Sequence, residues 1–108
     1  MPNLDYATFI SEVEPVLERN GCDAGGDCHG GGIRGTLALS PQGAKDPAFD
    51  FVQVSRQVSV SDADQSPILT RPLALAAGGT PHPYKPFATT ADTDYVTIQT
   101  WVHAGVNP

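Results

Sequence analysis

Apolar residues recur at helical spacing at both ends of the chain. From Leu4 to Asn20, the residues Tyr6, Phe9, Ile10, Val13, Val16 and Leu17 fall three and four apart. A helix there carries one apolar face, with Glu12, Glu14 and Glu18 mostly turned away from it. Pro15 removes one backbone donor inside the segment, which predicts a kink or a late start, and Asn20-Gly21 supplies a stop. Near the other end Asp92 or Thr93 caps a second amphipathic helix, whose Tyr95, Ile98, Trp101 and Val102 share one face until Gly105. Between them the pattern is weaker. Leu37-Ala38-Leu39-Ser40-Pro41 is a short apolar run ending in a turn. Asp46 to Val60 reads as a helix through Phe49, Val52 and Arg56, with a strand at its Val-rich end as the alternative. Ser66-Pro67-Ile68-Leu69 has the form of a helix start, Ser66 as cap and Pro67 at the first helical position, which Pro72 keeps short. Ala76 to Thr90 reads as loop. There is no internal repeat, and helices at both ends joined by loops predict an all-α fold.

Length and composition narrow this picture. A chain of 108 residues is one domain, 1–108, because halves of that size could not bury cores of their own. With 40% hydrophobic residues, 7% aromatic, 11 Gly and 10 Pro, much of it is loop around a modest core, which leaves room for something other than side chains to help fill it. Six Lys and Arg against 12 Asp and Glu give a net charge of −6, which opposes phosphate backbones and anionic membranes, so nucleic acid is not an expected partner. No apolar run approaches the roughly 18 residues of a membrane span. Met1-Pro2-Asn3 opens without the basic and apolar regions of a signal peptide, so the chain as given reads as soluble and untargeted.

From Gly21 to Gly35 the sequence is too rich in glycine for a packed helix or strand. Its two cysteines, Cys22 and Cys28, permit a disulfide, a metal site or a covalent cofactor on count alone. Cys28-His29 with Cys22 upstream resembles the attachment sequence of a c-type haem, in which two thiols form thioethers and the adjacent histidine ligates iron. The usual spacing leaves two residues between the cysteines, whereas here five intervene. The surplus is roughly one helical turn, and Gly25-Gly26 eases a detour that returns Cys22 to the side of Cys28. A disulfide closing a small loop is the plainer reading. A zinc site from Cys22, Cys28, His29 and His82 is a further one, made awkward by the adjacency of Cys28 and His29.

Taken in order, Val13-Glu14-Pro15-Val16-Leu17, Cys28-His29-Gly30, Leu37-Ala38-Leu39-Ser40, Ser66-Pro67-Ile68-Leu69 and Trp101-Val102-His103-Ala104-Gly105-Val106 make the chain resemble the cytochrome c-like domains of planctomycete and myxobacterial type, which are often embedded in larger secreted proteins. The resemblance implies a cytochrome c-like fold, with N- and C-terminal helices packed together and a loop-rich middle around one covalently attached haem c. It implies Cys22 and Cys28 as thioether sites, His29 as proximal iron ligand, and electron transfer rather than enzymatic turnover. The partner would be a redox protein or an adjacent domain. It also implies a periplasmic or extracellular setting, with this chain a trimmed mature form or a domain cut from a longer secreted protein. Methionine, the familiar distal ligand, occurs only as Met1. Such cytochromes carry their distal ligand in the loop between the middle and final helices, which selects His82, flanked by Pro81 and Pro83, over His103. His103 suits the negative end of the last helix. Two imidazoles would set a lower potential than His/Met ligation, and Arg34 or Arg71 would pair with a haem propionate. The rivals are a disulfide-stapled binding or interaction module without cofactor, and a haem enzyme or gas sensor in which His82 is displaced.

Overall fold

A computed structural model describes residues 2–25, 28–31 and 36–107. Its first helical rod, 6–19, is built of α1 (Tyr6–Thr8), a π turn (Phe9–Val13) and α2 (Glu14–Arg19). Asp5 caps it by accepting the Thr8 N–H at 3.1 Å. The widened turn, closed by the Glu14 N–H on the Phe9 carbonyl, lies immediately before Pro15. The donor that proline lacks therefore falls directly after the widened turn, where the regular helical ladder is already interrupted. Phe9, Val13, Val16 and Leu17 are buried as the periodicity predicts, while Tyr6 and Ile10 remain exposed. Glu14 departs from the expected pattern, being only 5% exposed.

The rod stops at Asn20-Gly21 with the bonds of a Schellman motif. Gly21 adopts a φ of 73°, its N–H reaches the Glu18 carbonyl at 3.0 Å, and the Cys22 N–H reaches that of Leu17 at 2.9 Å. Cys22 is thus fixed at the helix end by the stop itself.

α3 (Pro47–Ser55) begins at Asp46, which accepts the Phe49 N–H at 3.2 Å. A helix forms here as expected, but Phe49, Val52 and Arg56 are on its exposed side. The face turned inward holds Asp50, Val54 and Ser55, because Asp50 is drawn into an ionic cluster described below. α4 (Pro67–Thr70) starts with Pro67 in its first turn, but the Ser66 hydroxyl does not cap it and instead accepts the Ser59 N–H at 2.9 Å. α5 (Thr93–His103) is capped by Asp92, which accepts from Asp94 N at 2.9 Å and Tyr95 N at 3.3 Å.

The terminal helices pack against each other. The Phe9 and Trp101 ring centres lie 5.5 Å apart, and the Trp101 indole N–H donates to the Asp5 carbonyl at 2.9 Å. An antiparallel bridge between Asn3 and Val106 joins the ends. Arg19 and Asn20 both bind the Asp94 carboxylate. Leu39, Val54, Ile68, Leu69, Leu73 and Phe87 complete the core from the middle of the chain. The described residues are all-α, with isolated bridges in place of a sheet. No helix among them is long and apolar enough to cross a membrane.

Candidate functional site

A cavity of about 350 Å³ opens between the end of α2, α4, α5 and two loops, and Cys22, Cys28, His29 and His82 all line it. Its remaining wall is mainly apolar, from Leu17, Leu37, Ile68, Phe87, Ile98 and a group of prolines.

The first loop carries both cysteines. The His29 N–H donates to the Cys22 carbonyl at 3.0 Å and the Gly30 N–H to the Ala24 carbonyl at 3.0 Å. One helical turn makes such a bond over four residues. Here the chain makes it over seven, and the cysteines still face one cavity. Gly30 is required at this closure, since a Cβ there would stand 1.7 Å from the Asp23 carbonyl oxygen. Gly26, placed by the sequence in the detour, lies outside the described residues, as do Met1 and Arg34. The thiols are free of each other. Burial, then the neighbouring Asp23 and Cys28, push the Cys22 thiol up to about 11.

The second loop, 74–86, is closed at its ends by a parallel bridge between Leu73 and Phe87, with the Ala74 N–H on the Phe87 carbonyl at 2.8 Å and the Phe87 N–H on the Pro72 carbonyl at 3.1 Å. Gly79 packs so closely on the Leu73 carbonyl that a Cβ would lie 1.8 Å from its oxygen. Lys85 Nζ donates to the carbonyls of Arg71 and Thr80. These ties, which the sequence did not reveal, hold Pro81-His82-Pro83 over the cavity without a helix.

Each imidazole is oriented by a carbonyl. His29 Nδ1 lies 2.9 Å from the Leu37 oxygen and His82 Nδ1 lies 2.8 Å from the Tyr84 oxygen. A carbonyl can only accept, so His29 Nδ1 carries the proton; at His82 the Tyr84 N–H also approaches Nδ1, at 3.4 Å. The two ring centres are 6.2 Å apart with planes 18° from parallel. Burial holds His29 below the usual histidine range, with the Leu37 carbonyl opposing and His82 reinforcing, which favours the neutral, ligating form.

Among the described residues no three His, Cys, Asp or Glu side chains converge as a bare-metal site, so the four cavity residues do not make the tetrahedral zinc set. Arg71 lines the cavity. His103 lies elsewhere, its Nε2 2.6 Å from the exposed Asp64 carboxylate at the end of α5. Fold and site together define an all-α domain with two near-parallel imidazoles and two thiols on one apolar cavity. No protein-family model, curated protein or solved structure matches the chain.

Proposed function

We propose that this chain is a single-haem, c-type electron-transfer domain of cytochrome c-like fold, with Cys22 and Cys28 as thioether sites, His29 as proximal ligand and His82 as distal ligand. The observation that carries the reading is the pairing of the two imidazoles. A metal–imidazole bond of about 2.0–2.1 Å, followed by about 1.1 Å from nitrogen to ring centre, sets two imidazoles on opposite sides of one ion about 6.2–6.4 Å apart. The rings of His29 and His82 stand at 6.2 Å. Two protein ligands leave a bare ion under-coordinated, whereas a porphyrin supplies four further nitrogens, and two thiols line the same cavity. The residues present fit the group.

A bound haem would supply a one-electron couple. The chain's part is to hold it. The Leu37 and Tyr84 carbonyls orient both imidazoles, the apolar wall excludes water, and Arg71 at the lining offers a propionate its guanidinium. The function needs no acid, base or nucleophile. The setting this implies is periplasmic or extracellular, with a redox protein or adjacent domain as partner.

The test is protein purified from a host able to mature cytochromes. A low-spin haem spectrum that survives acid-acetone extraction is expected. His82→Met raises the potential, and His103→Ala leaves spectrum and potential unchanged. Colourless protein with Cys22 joined to Cys28 would overturn the reading in favour of the stapled module. High-spin iron that binds carbon monoxide readily would favour a sensor or enzyme.

A further inference from the structure

Four residues that the proposed site does not use meet beneath the Cys22 turn. Lys45 Nζ lies 3.1 Å from the Asp23 carboxylate, 3.1 Å from that of Asp50 and 3.5 Å from that of Glu14. Three buried carboxyls thus share one ammonium, and their claims on it are unequal. Asp50 also accepts from the Ser40 N–H at 2.7 Å and the Ser40 hydroxyl at 2.6 Å. Asp23 also accepts from Gln42 at 3.1 Å. Glu14 has both carboxyl oxygens shut away from water, with no backbone or hydroxyl donor on either and only the Asp50 carboxyl and the ammonium facing it. A carboxylate left so bare is costly, and the chain avoids that cost by leaving the proton on. Burial, then the facing Asp50 carboxylate, push Glu14 up to about 8 against the pull of Lys45. Hydrogen bonds hold Asp50 below its usual range despite its burial, and, against its own burial, the bonds Lys45 donates to Asp23 and Asp50 hold it above its usual range.

The cluster joins three parts of the fold. Glu14 belongs to α2, Asp50 to α3, and Asp23 directly follows Cys22 in the turn that receives the His29 N–H. We propose that the cluster is a proton-operated clamp on the Cys22 turn, in which Glu14 is a neutral acid in the folded protein and loss of its proton draws Lys45 from Asp23 and loosens that turn.

The sign follows from linkage. Glu14 ordinarily titrates at 4.5 and here at about 8, so between those values the folded state holds the extra proton. Its contribution to stability is therefore full below pH 4.5, declines as pH rises, and is constant above about 8. His29, held low, contributes in the opposite direction as pH falls below its ordinary 6.5, so the informative quantity is the difference between the parent chain and Glu14→Gln, in which His29 cancels.

The experiment follows the carboxyl-carbon resonance of Glu14 and the amide resonances of Cys22, Asp23 and Ala24 by NMR from pH 5 to 10. Urea midpoints of both chains are measured across the same range. A Glu14 midpoint between pH 7 and 9 is expected, with the three amides moving at that midpoint in the parent and not in Glu14→Gln. The folding constant of the parent should fall relative to the variant by at least about tenfold between pH 5 and 9. A Glu14 midpoint below pH 6 overturns the neutral acid, and turn amides that ignore its titration overturn the clamp. Where the variant does not fold, the parent's own titration decides both points. Neither outcome depends on whether haem is attached, so this inference and the proposed function fail separately.

Discussion

Lys45 illustrates how much one residue can carry when its partners are buried. Its ammonium is the counter-charge of Asp23 and Asp50, whose side chains are 2% and 0% exposed. Removing one partner of a buried pair leaves the other charge uncompensated, at a cost of about 3–5 kcal/mol. Lys45→Met is expected to lose stability of that size in urea unfolding at pH 7. A loss below about 1 kcal/mol would show that the carboxylates take up protons or water instead. At this scale the sequence was legible where the chemistry is carried by rare residue types. Cysteine occurs twice and histidine three times, so Cys22, Cys28, His29 and His82 stood out, and the fold brings them to one cavity. Glu14, Asp23, Asp50 and Lys45 did not stand out. Their residue types are common, their positions have no local spacing in common, and only the folded chain shows which acid loses its water.

At the scale of elements, legibility follows how much of each element's burial is decided locally. α5 has a strong cap and four buried apolar residues on one face, Tyr95, Ile98, Trp101 and Val102, as the periodicity foretells. The helix near Phe49 formed as expected yet turned the other way, because burying the Asp50–Ser40–Lys45 contacts outweighed hiding Phe49 and Val52. A periodicity argument ranks faces by apolar content and is blind to a paired charge. Ser66 shows the same limit: position and residue type suggested a cap, but its hydroxyl went to the Ser59 N–H across a turn. The cap on α5 is local and testable. Asp92 satisfies two N–H groups of its first turn, so Asp92→Ala should cost about 1 kcal/mol. In a domain of this size that lowers the melting temperature by about 4–8 °C. Hydrogen exchange should quicken at Asp94 and Tyr95 while the far end of the helix keeps its protection; uniform quickening along α5 would mean that global unfolding, not the cap, was weakened.

For the molecule as a whole, the composition and the cavity make the same point. Gly and Pro account for 21 of 108 residues, the loops they build need ties to hold them, and the cavity they enclose is walled mainly by apolar side chains with about 350 Å³ between them. Such a wall gains little by facing water and much by closing on a flat apolar group, so under the proposed function the cofactor is also part of the core. Stability should then depend on it. Protein matured with haem is expected to melt at least about 10 °C above the pigment-free Cys22→Ala, Cys28→Ala chain, since a few kcal/mol of buried contact correspond to shifts of that order in a domain of this length. Calorimetry of the two forms at one pH makes the comparison, and the paired substitution itself is mild, each site being a small half-buried thiol on the cavity wall. Equal melting temperatures would mean that the loops hold their shape unaided, and the cavity would then have to be explained as a site for a transient ligand rather than for a resident one.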